Sequence, residues 1–241
     1  MKYSIVMPVL LREPDHRIIV QQTIDSLQES EDDFELIIID DGSPLMAGFL
    51  EDWADTFIQH ETNLGIAPGW NDGLKAAKGE YIVIINDDIM VPEKWLRRMS
   101  KVLDSVPEAG VVGPMSAGPD ELPGYYDKEP YEDARFFPGY CFMFKRDRWL
   151  EEFDTRFVPY NFEDADMWTR IMKTGLKLYR APLAIWHKEG DVVHKMQYQR
   201  VNTENHQRFI DKWGVDPQPY LYGGGDIQEF LDKIKQHENV S

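Results

Sequence analysis

Apolar runs and helical patterns alternate along the first half of the chain. "YSIVMPVLL" has the near-continuous apolar character of a buried strand, and "IIVQQTIDSL" sets Val20, Ile24 and Leu27 on one face of a helix. "FELIIID" predicts a second strand, "TFIQHE" a short third, "APGWNDGLKAAK" a helix closed by Gly79, and "EYIVIIN" a fourth strand. Strands alternating with helices of about a dozen residues predict a mainly parallel α/β sheet covered on both faces.

The pattern breaks near residue 116, where "SAGPDELPGYYDKEPYED" shows no period and predicts a long loop, the usual form of a lid or binding loop. Beyond it come a strand, "GYCFMFKRD", and a helix beginning in "NFEDADMWTRIMKTG". A strand pair around "LKLYRAPLAIWH" and a helix from about Gln197 to Trp213 follow. In the tail, Ile227, Phe230, Leu231 and Ile234 share one helical face, and the "GGG" before them reads as a hinge. The expected organisation is one α/β domain in two halves, 1–115 and 116–215, with a tail over 216–241.

Composition narrows the function classes. The 241 residues carry a formal charge of −17, with 43 acidic against 26 basic side chains, so a polyanion meets net repulsion and general nucleic-acid binding is excluded. The lone Cys141 excludes an internal disulfide framework and a cysteine-based zinc site, and suits a reducing, cytoplasmic setting. "MKYSIVMPVLL" has no small-residue cleavage pattern before "REPD" and is taken as a strand. No run approaches the ~18 apolar residues of a membrane span, so any membrane contact would be peripheral. GxxxxGK[ST], HExxH, GxSxG and a strand-linked GxGxxG are all absent.

Candidate chemistry sits at the strand ends, where open α/β sheets bind ligands. The second strand ends in "DDGS" and the fourth in "NDD", which puts two acidic clusters on one rim. Asp87 and Asp88 could ligate a hard divalent cation, with other positions left for phosphate oxygens, or could cap the helix expected after Pro92. The "DDGS" carboxylates could accept from a nucleobase N–H or simply form a turn. Glu163, Asp164 and Asp166 stand at a helix start, where a carboxylate either caps the helix or stays ionised to take a proton from a hydroxyl. His187, or His194 seven residues later, could complete a metal site with Asp88.

In the order "SIVMPVL", "FELIIIDDGS", "NLGIAPGWNDGLKAAKGEYIVIINDD", "GYCFMFKRD", "FEDADMWTRIMKTGLKLYRAP" and "IWH", the chain resembles the family 2 glycosyltransferases of the GT-A fold over roughly residues 3 to 190. "NHQRFIDKWG" is similar to the closing helix of their bacterial rhamnosyltransferase-like branch. The resemblance implies inverting transfer of a sugar from a nucleoside diphosphate donor to a hydroxyl of a glycan or other acceptor, with Mn²⁺ or Mg²⁺. It further implies that residues 1–115 bind the nucleotide sugar and 116–215 the acceptor, with Tyr140, Trp168 and the 117–133 loop as walls.

Position by position, the resemblance places Pro8 and Asp41 at the nucleobase, and Asn63 and Asn71 in the donor-binding set. Asn86 and Asp87 would face the ribose or diphosphate, and Asp88 and His187 would bind metal. Asp164, with Glu163 beside it, would be the general base. Departures from the family pattern are Leu10 and Leu11 after the first strand's proline, Trp70 before Asn71, and Asn86 for the first Asp of DxD. Two alternatives stand. A sugar nucleotidyltransferase would want a Gly-rich basic loop where "PVLLREPD" offers only Arg12. A non-catalytic carbohydrate-binding protein would use Tyr125, Tyr126 and Tyr131 as stacking surfaces.

Overall fold

The structure is a computed structural model and describes residues 2–30, 33–45, 48–116, 122–127, 131–132, 135–148, 151–188 and 195–240. The elements run β1 (Tyr3–Val9), α1 (His16–Glu29), β2 (Phe34–Asp40), β3 (Thr56–Gln59), α2 (Ile66–Ala76), β4 (Tyr81–Ile85), β5 (Ile89–Met90) and α3 (Trp95–Ser105). They continue with β6 (Ala109–Ser116), β7 (Gly124–Tyr125), β8 (Tyr131–Glu132), β9 (Cys141–Lys145), α4 (Glu163–Lys173), β10 (Lys177–His187), α5 (Lys195–Trp213) and α6 (Ile227–Glu238).

One sheet carries the order β3-β2-β1-β4-β9-β6-β10-β5, with β7 and β8 paired onto β10. The four strands β1 to β4 are mutually parallel, and β10 runs parallel to β6. Only β9, among the long strands, is inverted, antiparallel to β4 and β6. The geometry follows from the connection: antiparallel neighbours need no crossover helix, and none is described between β6 and β9.

Both faces are buried, which is why the strands read as apolar throughout. Ile5, Met7 and Val9 of β1 face α1 and α3, meeting Val20, Ile24, Leu27, Trp95 and Met99. Val6, Ile37 and Ile39 face the other way, into a cluster with Trp70 of α2, Trp168 of α4, Phe209 of α5 and Phe230 of α6. Among the described residues no helix is long and apolar enough to cross a membrane.

Three local expectations are corrected. First, α2 stops at Ala76 rather than at Gly79. Gly79 is required for another reason, since a Cβ there would stand 2.7 Å from the Ser4 backbone nitrogen as the chain crosses β1. Second, the strand pair near "LKLYRAPLAIWH" is one long strand, β10, whose register shifts between Arg180 and Ala184, around Pro182. Third, the loop expected from residue 116 contains two short strands, β7 and β8; parts of it, and His194, lie outside the described residues.

The far end of β10 matters most for chemistry. His187 pairs with Ile89 and Trp186 with Met90, so the two-residue strand β5 carries the end of β10 to the "NDD" turn.

Candidate active site

Strands β1, β2 and β4 deliver Pro8, Asp41 and Asn86 to one rim, where a cavity of about 220 Å³ opens. Pro8, Asp41, Asn63, Asn86, Asp87 and Asp88 all line it, joined by Arg12, His16, Gly65, Pro159 and Tyr160. Two acidic strand ends therefore do share one site.

Asp41 is buried and shapes the turn opposite it. Its Oδ1 accepts from the Leu64 N–H and lies 2.8 Å from His60 Nδ1, while Oδ2 accepts from the Gly65 N–H. Gly42, at φ +70°, packs so tightly on that turn that a Cβ would come within 2.3 Å of the Thr62 carbonyl carbon. The result holds Asn63 against the cavity.

The "NDD" turn is fastened from three sides. Asn86 donates its N–H to the Tyr140 carbonyl at 2.7 Å, and the Lys188 N–H donates to the Asp88 carbonyl at 3.0 Å. Thr23 Oγ1, on α1, donates to the Asp87 carbonyl and accepts from the Ile89 N–H. The Asp87 carboxylate lies 3.2 Å from His16 Nε2. That contact raises the His16 pKa, whereas burial raises the Asp87 pKa, so the pair is electrostatically matched but held in a poorly hydrated place.

Asp88 presents the clearest unmet demand. Its Oδ1 is buried and makes no hydrogen bond, although His187 Nε2 lies only 3.2 Å away. That nitrogen is also 3.4 Å from Asn86 Nδ2, and the ring is stacked on Tyr140 at 4.4 Å and 9°. If Asn86 donates to Nε2, the imidazole and carboxylate face each other with lone pairs, and a divalent cation relieves the conflict. Among the described residues no group of three or more His, Cys, Asp or Glu forms a cage. The donor set nevertheless fits Mg²⁺ or Mn²⁺, which commonly takes one or two protein ligands and completes its shell with water and phosphate oxygens.

The acid cluster at the start of α4 separates into three different roles. Asn161 and Phe162 have φ of 73° and 72°, an uncommon left-handed pair that turns the chain into the helix. Asp164 Oδ2 accepts from the Gly139 N–H and Oδ1 from the Ala165 N–H, while burial raises its pKa to about 6. Glu163 is pushed well above the carboxylate range by burial and by the neighbouring Asp164 charge, and its Oε2 has no hydrogen-bond partner. Asp166 is fully committed elsewhere, to Arg170 Nε at 3.0 Å, Lys212 Nζ at 2.6 Å and Trp213 Nε1 at 2.8 Å. Glu163 and Asp164 do not line the cavity. They connect to it through residues 139 and 140, because Gly139 touches Asp164 and Tyr140 stacks on His187.

Four further expected residues, Asn71, Tyr140, Trp168 and His187, are off the cavity lining, with His187 meeting it through Asp88 and Asn86. Asn71 is off the cavity, its amide donating to the Phe153 carbonyl and accepting from the Phe153 N–H. Trp168 is a core residue rather than a cavity wall, fully buried with its indole N–H on the Phe137 carbonyl. Conversely, the sequence reading passed over His16 and His60. His16 opens α1, the helix after β1, and the start of a helix that follows a parallel strand lies at the ligand-binding rim of such a sheet.

Comparisons with known proteins bear on the family and on the fold. The family model described as Glycosyl transferase family 2 matches residues 4–163. An uncharacterized glycosyltransferase of Bacillus subtilis, EpsJ, is 34% identical over 104 residues, covering 41% of this chain and 29% of that protein. Another from Haemophilus influenzae is 29% identical over 113 residues, covering 45% and 37%. The matched part is thus well under two thirds of either relative. Among solved structures, S. aureus TarS 1-349 has a TM-score of 0.61 at 14% identity, over 88% of this chain and 72% of that one. The same protein in complex with UDP-GlcNAc gives 0.59 at 15% identity, over 83% and 64%. With a family model spanning well over half its 241 residues and a sheet of GT-A type, the chain belongs to glycosyl transferase family 2.

Proposed function

We propose that this chain transfers a sugar from a nucleoside diphosphate donor to a hydroxyl of a glycan or other acceptor, with inversion at the anomeric carbon. The observation that carries the reading is the buried Asp88 Oδ1, which makes no hydrogen bond and lies 3.2 Å from His187 Nε2, on a residue that lines a strand-end cavity. A UDP-sugar is the first donor to try, because a structure of similar fold holds UDP-GlcNAc. A cytoplasmic setting suits the lone, buried Cys141.

Asp88 and His187 would hold Mn²⁺ or Mg²⁺, whose chemistry there is to neutralise charge on the departing diphosphate. Pro8, Asp41, Asn63, Asn86 and Asp87 all line the cavity; Pro8 and Asp41 would meet the nucleobase, Asn86 and Asp87 the ribose or diphosphate, and Asn63 another part of the donor. Asp164 accepts the acceptor's hydroxyl proton as that oxygen bonds to the anomeric carbon and the sugar–phosphate bond breaks. A base with a pKa of about 6 is ionised at neutral pH yet still proton-seeking, and its bonds to Gly139 and Ala165 fix its direction. Glu163, kept neutral, adds no second charge beside it.

Thermal shift with UDP-, GDP- and dTDP-sugars in Mn²⁺ identifies the donor. Asp164→Asn should then lower transfer by ~10²–10⁴-fold with donor affinity within a few-fold; full activity in that variant moves the base elsewhere. Asp88→Ala should weaken metal-dependent nucleotide binding roughly tenfold or more. Unchanged affinity by calorimetry refutes the ligand role.

A further inference from the structure

Donor binding as proposed brings an anionic diphosphate into a cavity whose wall already carries Asp41, Asp87 and Asp88, on a chain of net charge −17. One divalent ion beside Asp88 leaves the balance negative. Protein cations are needed, and the lining residues offer two candidates, Arg12 and His16.

His16 is already occupied. Its Nε2 lies 3.2 Å from the Asp87 carboxylate, tying the start of α1 to the "NDD" turn. The α2 wall contributes Gly65 and Ile66, and Trp70 of that helix is turned into the aromatic core against Phe142 and Phe153. Arg17 lies over the Phe49 ring at 4.2 Å.

Arg12 differs from all of these. It is exposed and makes no hydrogen bond or ion pair with any described residue. Its backbone is well placed, because the preceding Leu11 is buried and donates its N–H to Ser43 Oγ at 2.8 Å. A second cavity of about 220 Å³ adjoins the first and shares Arg12, His16 and Asp88 with it, with Lys188 also on its wall. Arg12 therefore stands where two cavities meet beside Asp88, whose buried Oδ1 makes no hydrogen bond.

We infer that Arg12 is the protein's cationic ligand for the donor's diphosphate, and that His16 positions Asp87 without touching the donor. The inference rests on the donor class proposed above and adds the residue that neutralises it. A guanidinium presents paired N–H groups to two phosphate oxygens at once, whereas an ammonium supplies a point charge.

Calorimetry in saturating Mn²⁺ with UDP, GDP, dTDP, uridine and inorganic pyrophosphate tests this. For the diphosphate that the wild type binds best, and for pyrophosphate, Arg12→Gln should lose roughly tenfold or more in affinity. Uridine should bind both proteins alike. Arg12→Lys should recover part of the loss, and Arg17→Gln, outside both cavities, should leave binding as in wild type. Equal affinity of wild type and Arg12→Gln for both the nucleoside diphosphate and pyrophosphate overturns the inference while leaving the donor class standing. A wild type that binds none of the diphosphates overturns the donor class, and Arg12's role with it.

Discussion

Asp164 sits where its own charge is disfavoured, and that has consequences for both rate and stability. Burial lifts its pKa from 3.8 to about 6. As a base it works only when ionised, so transfer should fall away below about pH 6 and level off above it, in a pH–rate profile of the wild type. Stability moves the opposite way. The folded state holds this proton more tightly than the unfolded chain, so stability falls as pH rises from about 4 through 6 and stays lower above it, by up to roughly 3 kcal/mol at 1.36 kcal/mol per pH unit. Asp164→Asn, which still offers an oxygen to Gly139, should therefore be more resistant to urea than wild type at pH 8, with the gain largely gone near pH 4. An unchanged midpoint at pH 8 would mean that the carboxylate is solvated. Sequence spacing had left Glu163, Asp164 and Asp166 equivalent, because all three open one helix. What separates them is tertiary: Trp213 and Lys212, more than forty residues away in sequence, take Asp166.

At the scale of elements, α5 governs the segment that carries these acids. Asn205 is fully buried and donates to the Tyr160 and Asn161 carbonyls, and Arg208 Nη1 donates to the Arg156 and Val158 carbonyls. The clamp holds the left-handed turn at Asn161 and Phe162, and with it Pro159 and Tyr160 on the cavity wall. Asn205→Ala strands two carbonyls and should cost about 2–4 kcal/mol in urea unfolding. It should also weaken nucleotide binding; unaltered stability would show that the turn supports itself. The helix itself was legible as a pattern from Gln197 to Trp213 and is observed from Lys195. The strands β1, β2 and β4 were legible because burial on both faces dictates their apolar runs. By contrast, β5 was not foreseen: two residues in an antiparallel bridge carry no periodicity, yet they bring His187 to Asp88.

Across the whole molecule, the chemistry at the rim depends on packing at the opposite end of the sequence. Phe230 and Ile234 of α6 are fully buried in the same apolar cluster as Trp168 of α4 and Phe209 of α5. Lys173 of α4 pairs with Glu238, and Gly214, at φ +69°, sits so close under His237 that a Cβ would overlap the ring at 2.1 Å. The segment 216–240, whose apolar face predicts packing on the body, is on these contacts a buttress of the helix that carries Asp164, and we expect it to unfold with the body. Phe230→Ala removes a core ring and should cost about 3–5 kcal/mol, a fall of roughly 10 °C in Tm for a chain of this size. The decisive reading is the shape of the transition as well as its position. A single cooperative melt at lower temperature is expected by calorimetry. Two separate transitions, or a loss under about 1 kcal/mol, would make α6 an appendage, and the site would then stand without it.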